Sequence, residues 1–353
     1  MGGPQPSHYA QALEVLLRAP EVDAVMALFV PQAVTSTREV AEAIGRAASG
    51  SPRPVVGVIF GGTEALAAAR VLHRAGVPHF LTPCRAAFAL GFLREWAGIR
   101  RRLQAPIAPA QPLDRGRATA VLQEEIAWGK DRLDPQAGAE LAAAWGLPVP
   151  PSGLAATPEE AIALAERIGY PVALKRVAPG LIHKSAEGGV ILNLWKPDEV
   201  RDAFSRLIRP GEYALIQRVA PSGLELIIGA YRDPLFGPVV MFGAGGVEAE
   251  LREDVAFRLV PFSEAEAEAM LEETTIGRRL LQGSREGRLE RPERVLEILR
   301  QVGGMMQEHP EIAEIDLNPL IVGRPGEGVH AVDVRVILVR ESPVPEAALS
   351  FRG

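Results

Sequence analysis

YPVALKRVAPGLIHKSAEGGV, residues 170–190, decides how this chain is read. Its apolar start, Val172–Arg176, reads as a strand, and Lys175 is embedded in it. A loop with His183, Lys184 and the pair Gly188-Gly189 follows, and a second strand is expected over Val190–Leu194. An ammonium on a strand, beside a glycine loop whose N–H groups can turn inward, is suited to clamping phosphate. The bland alternative is a solvated lysine on an edge strand.

Upstream, Thr157-Pro158-Glu159-Glu160 starts a helix that ends at Gly169: an N-cap threonine, a proline in the first turn and an acid at the third position. Further strands are expected over Ala214–Val219, Glu225–Tyr231, Val239–Gly243, Ile315–Asp316 and His330–Val339. In EIDLNPL, residues 314–320, alternation puts Asp316 and Asn318 on one strand face. Asp333, in AVDVRVIL (331–338), then lies mid-strand among valines. A carboxylate there is costly unless it is paired or bound to a cation. Oxygen ligands from neighbouring strands suit Mg²⁺, which keeps several waters and binds nucleotide phosphates. Turn-capping acids are the alternative.

Nearer the N-terminus the chain alternates strands (Val22–Val30, Val55–Phe60, His79–Leu81) with helices (His8–Arg18, Thr37–Ala48, Glu64–Ala75, Ala86–Trp96). That pattern implies a parallel sheet. Phe60-Gly61-Gly62-Thr63 opens one helix through glycines, so Gly61, Gly62 and Thr63 offer unpaired N–H groups to a phosphate. Many ordinary α/β turns look the same. Gly243-Ala244-Gly245-Gly246 lacks the strand–helix context of a dinucleotide fingerprint. The Pro- and Ala-rich stretch LQAPIAPAQPLDRGR (103–117) breaks the pattern and reads as a linker. The expected organisation is 8–105, linker 106–117, and a larger α/β unit over 118–340.

Bulk properties narrow the function. The 353 residues carry a net charge of −6, and the longest basic run is Arg100-Arg101-Arg102, so no nucleic-acid footprint is visible. No apolar run is long enough for a membrane span, and the N-terminus does not read as a signal peptide. The single cysteine, Cys84, allows no intramolecular disulfide, which fits a reducing cytoplasm. It reads as a buried, inert thiol. His8, His73 and His309 read as solvated; His79 and His330 read as packing or structural residues.

The phrase at 170–190, LIQRVAPSGLELIIGAYRDPLFGPVVMFGAGGVEAEL (215–251) and EIDLNPL with AVDVRVIL together resemble the ATP-grasp domain of ADP-forming acyl-CoA synthetases, relatives of succinyl-CoA synthetase. Residues 8–105 resemble the flavodoxin-like CoA-ligase domain of the same group. The implied fold is a flavodoxin-like parallel-sheet domain followed by a two-lobed ATP-grasp domain.

The resemblance also implies roles. Lys175 would hold ATP phosphates, and Gln217, Arg218 and Val219 would form the hinge that meets adenine. Gln217 and Glu225 would be polar nucleotide-site positions. Asn318 and Asp333 would bind Mg²⁺, Asp316 would sit near an arriving phosphohistidine, and His183 would carry phosphate. Gly61–Thr63 would cradle the partner's phosphohistidine. The implied reaction is ATP + acid + CoA = ADP + phosphate + acyl-CoA. CoA and the main phosphohistidine are expected mainly on an α-type partner subunit, in a hetero-oligomer that takes a small carboxylic acid. The competing readings are a non-catalytic nucleotide-binding regulatory module and an ATP-grasp carboxylate–amine ligase.

Overall fold

The computed structural model describes residues 5–32, 34–177, 189–246 and 254–339. His183 and the loop around it fall outside the described residues. The chain divides into two compact units, 1–101 and 102–353.

In the first unit every strand hands over to a helix that returns the chain, which makes the sheet parallel. The order is α1 (Pro6–Arg18), β1 (Val25–Phe29), α2 (Thr37–Ala48), β2 (Val55–Ile59), α3 (Thr63–Arg74), β3 (His79–Phe80) and α4 (Pro83–Leu103). The strands lie β1-β2-β3, with Val25 opposite Val55 and Gly57 opposite His79. β2 is buried at all five positions, as a central strand covered on both faces must be. Ser36 caps α2 by accepting the Glu39 N–H, a contact of about 1 kcal/mol. α4 outruns the helix expected over Ala86–Trp96, and Ala86 is its buried residue. Cys84, in its first turn, is exposed, not buried as its sequence context implied. The Thr-Pro that precedes it starts the helix but does not decide which side faces the core.

The second unit has two lobes, each built on an antiparallel sheet. It opens with α5 (Arg115–Ala127), which starts inside the stretch read as linker because the Asp114 side chain accepts the Arg117 N–H. Next come α6 (Pro135–Ala144), β4 (Ser152–Ala155), α7 (Pro158–Ile168), β5 (Val172–Val177), β6 (Val190–Leu194), α8 (Pro197–Leu207) and β7 (Tyr213–Arg218). The chain continues through β8 (Leu224–Asp233), β9 (Gly237–Ala244), β10 (Val255–Leu259), α9 (Glu264–Glu273), α10 (Thr275–Arg285) and α11 (Glu293–Glu308). It closes with β11 (Ile312–Val322), β12 (Val329–Ala331) and β13 (Val334–Leu338).

The small lobe is the sheet β4-β7-β5-β6, with α7 and α8 packed on it through Ala161, Ala165, Val200 and Phe204. Thr157 caps α7 as its sequence predicts, and Gly169 ends it at φ 89°. The large lobe is the sheet β10-β9-β8-β11-β12, and β13 also pairs with β11. Its core unites the sheet with α5, α6 and α9–α11 around the fully buried Trp145. His309 is not solvated: it is 4% exposed, and its Nε2 accepts the Trp145 indole N–H at 3.2 Å. It is the C-cap of α11 and packs edge-on against the Trp145 ring.

The strand expected over His330–Val339 is two strands. β12 pairs with Leu320–Val322 and β13 with Ile312–Leu317, so the break at 332–333 faces Asn318-Pro319. Pro319 has no N–H to give a ladder. Instead its carbonyl accepts the Val332 N–H at 3.1 Å, and the Asn318 N–H reaches the Asp333 carbonyl at 3.3 Å. Asp333 therefore sits at a strand break, not mid-strand.

Candidate functional site

Lys175 lies on β5, which is flanked by β7 and β6, so it is not on an edge strand. It is 6% exposed, against the solvated alternative. Its ammonium leaves the small lobe and donates to the Val332 carbonyl of the large lobe at 3.0 Å. The strand break at 332–333 is what brings that carbonyl out of the ladder. Arg176, next along β5, points to the opposite face and makes a two-pronged ion pair with Glu212, both contacts at 2.8 Å.

Between the lobes lies a narrow cleft lined by Ser152, Leu215, Gln217, Val332 and Asp333. Gln217 is 5% exposed on β7, opposite Ser152 and Ala173. Arg218 and Val219 follow it, and both of their amides are already bonded: Arg218 to the Pro151 carbonyl at 2.9 Å and Val219 to the Pro171 carbonyl at 3.1 Å. That segment therefore presents the Gln217 carboxamide more readily than the Arg218 and Val219 N–H groups.

In the large lobe Ile315 and Leu317 point into the core, so Asp316 and Asn318 project from the other face of β11. The Asn318 side-chain oxygen accepts the Gly246 N–H at 3.1 Å, and the Gly245 N–H reaches the Glu225 carbonyl at 3.0 Å. The exposed Glu225 carboxylate lies so close to Gly246 that a Cβ there would meet its oxygen at 1.8 Å. Gly245 and Gly246, weak as a fingerprint, are thus the close-approach residues that join Glu225 to Asn318.

Asp316 is the anomalous carboxylate. Its Oδ1 is buried with no hydrogen-bond partner. Burial pushes its carboxyl up to about 6; Arg335 pulls the other way, while Glu314 and Asp333 add repulsion. Sequence reading missed Arg335. Its place opposite Asp316 appears only once β11 and β13 are set in register.

Among the described residues no group of three or more His, Cys, Asp or Glu is arranged to hold a metal. Asn318 and Asp333 instead offer one carboxamide and one carboxylate beside an unpartnered Asp316 oxygen. That sparse oxygen set fits Mg²⁺ delivered with phosphates and water, and does not fit a closed structural site. Gly61, Gly62 and Thr63 lie in the first unit. All three are exposed, with Gly62 as the N-cap of α3 and Gly61 at φ 120°.

No helix among the described residues is long and apolar enough to cross a membrane. A family profile described as an ATP-grasp domain matches residues 124–338. An ADP-forming acetate–CoA ligase of Archaeoglobus fulgidus is 32% identical over 97% of this chain and 50% of its own length. The β subunit of ADP-forming acetate–CoA ligase I of Pyrococcus furiosus is 36% identical over 64% of this chain and 100% of that subunit. Among solved structures, the dinucleotide-forming acetyl-coenzyme A synthetase 1 of Ca. Korarchaeum cryptofilum, in complex with coenzyme A and Mg-AMPPCP, has a TM-score of 0.56. It is 38% identical over 63% of this chain and all of that one. The chain thus spans about half the length of the Archaeoglobus relative. The ATP-grasp profile and a β subunit matched from end to end show that this chain belongs to the ATP-grasp family, in the branch of the ADP-forming acetate–CoA ligases.

Proposed function

We propose that this chain is the nucleotide-handling part of an ADP-forming acyl-CoA synthetase, which joins a small carboxylic acid to CoA while ATP becomes ADP and phosphate. One observation carries the reading: a buried lysine crosses from one lobe to the strand break that holds Asp333, beside a carboxylate with an unpartnered oxygen. In this reading 8–105 is the CoA-ligase domain, 106–117 the connection and 118–340 the ATP-grasp domain. CoA and the main phosphohistidine belong to an α-type partner in a hetero-oligomer. The cytoplasm is its compartment.

The residues divide the work. Lys175 holds the ATP phosphates and offsets charge as the γ-phosphoryl group leaves. Gln217, with Arg218 and Val219, borders the base, and Glu225 supplies an acceptor on the rim. Asn318 and Asp333 would hold Mg²⁺, which would supply neutralising positive charge beside the nucleotide phosphates. Asp316 orients the imidazole that receives the phosphoryl group. A P–O bond of ATP breaks, a P–N bond to histidine forms and ADP departs. Transfer to the acid gives an acyl phosphate, from which CoA displaces phosphate. His183, outside the described residues, is the candidate local carrier, and Gly61–Thr63 offers its open helix terminus to the phosphorylated loop of the partner.

The test is ADP release from Mg·ATP with a carboxylic acid, with and without CoA and a partner chain matching the other half of the Archaeoglobus relative. Release that requires both CoA and the partner is expected. Release driven by an amine instead of CoA points to a carboxylate–amine ligase. Nucleotide binding without any turnover points to a regulatory module.

A further inference from the structure

Arg335 is a basic residue on the open face of the large-lobe sheet that the proposed reaction leaves unused. β11 and β13 run antiparallel, with Asp316 directly opposite Arg335, Leu317 opposite Val334 and Ile315 opposite Val336. Ile315, Leu317 and Val336 are buried in the core, so Asp316 and Arg335 must both stand on the other face. Directly opposed residues have Cβ atoms about 5 Å apart, which makes the two side chains neighbours. Arg335 nevertheless makes no hydrogen bond or ion pair among the described residues. It is half-buried, so its guanidinium is partly stripped of water. Arg132, which pairs with the same strand opposite Ile337, is engaged with Asp131 at 3.8 Å.

The charges around Arg335 indicate what it takes. Glu314, Asp316 and Asp333 place three carboxylates around this stretch. A phosphoryl group cannot approach them without a counter-charge. Lys175 supplies one from the small lobe, but it is anchored at the Val332 carbonyl, on the other side of Asp333 in the chain. A guanidinium is planar and forked, and its paired N–H groups match two oxygens of a phosphate.

We propose that Arg335 is a second phosphate-binding cation, which receives the phosphoryl group on the acceptor side of the cleft while Lys175 holds the nucleotide. The proposal rests on the nucleotide-handling reading, and the following experiment separates the two. Inorganic phosphate labelled with ³²P is titrated into the full chain, with and without saturating Mg·ADP, and binding is followed by equilibrium dialysis. The wild type binds phosphate under both conditions. Arg335→Gln weakens phosphate about tenfold or more and leaves Mg·ADP affinity unchanged. Arg335→Lys, which keeps charge but loses the fork, recovers part of the loss. Lys175→Met shows the reverse pattern, with weakened Mg·ADP and retained phosphate.

Three results overturn the proposal: no phosphate binding by the wild type, unchanged phosphate binding in Arg335→Gln, or parallel loss of phosphate and Mg·ADP in that variant. If the wild type binds phosphate through Arg335 but takes no Mg·ADP, the nucleotide reading fails and the anion site stands.

Discussion

Several carboxylates of the larger unit are held below their ordinary titration range, among them Glu212 in the small lobe, whereas Asp316 in the large lobe departs upward. In the small lobe the guanidinium of Arg176, then the Arg209 N–H, holds Glu212 below the usual glutamate range. In the large lobe burial pushes Asp316 up to about 6, and the Arg335 charge does not offset it. Pairing and desolvation are thus separated within one unit. A paired carboxylate stabilises its lobe, whereas a desolvated one costs stability and is retained for some other reason. In the proposed reading, the contrast between structure-holding and ligand-facing charge extends to Lys175 and Arg176, consecutive residues on opposite faces of β5.

The largest effect expected is on ligand binding. Lys175→Met keeps the length and burial of the side chain but removes its charge. Calorimetry should show Mg·ADP affinity falling by about 1–3 kcal/mol, the worth of one charge-assisted phosphate contact. Thermal stability should change little, because Met suits a site that is 6% exposed. If affinity holds while stability collapses, Lys175 is a lobe-locking residue and its half of the contrast is wrong.

The next effect is on stability, and its sign is unusual. Because the folded-state pKa of Asp316 is raised above the ordinary value, the folded state favours the protonated acid. Its stabilising contribution is present below about pH 4 and is lost as pH rises through about 6. Asp316→Asn removes that loss. Denaturation with a chelator present should find the variant more stable than wild type by about 1–2 kcal/mol at pH 8, with the gain shrinking towards pH 4. A variant that is less stable at pH 8 would show Asp316 to be a scaffold residue.

These residues were legible in the sequence to different degrees, for physical reasons. Lys175, Asp316 and Asn318 stood out because a charge or amide inside an apolar strand is costly, and the two-residue period fixes its face. The caps at Thr157 and Gly169 were visible because capping is local. The strand break at 332–333 was not, because it follows from Pro319, a dozen residues away, facing it across the ladder. Arg335 was invisible until β11 and β13 were set in register. His309 was misread because its partner, Trp145, is separated from it by 164 residues. Cys84 was misread because helix propensity does not say which side is covered.

The smallest effect belongs to Glu212, and it sharpens the contrast because it must go the other way. Arg176 binds both Glu212 oxygens, and the Arg209 N–H binds one of them again at 3.0 Å. All of these contacts favour the charged form. The stabilisation is therefore complete above the ordinary glutamate pKa of about 4.3 and disappears as pH falls through the depressed folded value. Glu212→Gln keeps the shape and loses the charge. Its melting temperature should lie below wild type at pH 7 and converge with it in acid, the mirror image of Asp316→Asn, which diverges as pH rises. Nucleotide affinity should be untouched, because Arg176 and Glu212 lie on the face of β5 away from the cleft. Were Glu212→Gln to weaken Mg·ADP as strongly as Lys175→Met, the two faces of β5 would be coupled. The division between a structural and a ligand-facing charge would then have to be abandoned for this strand.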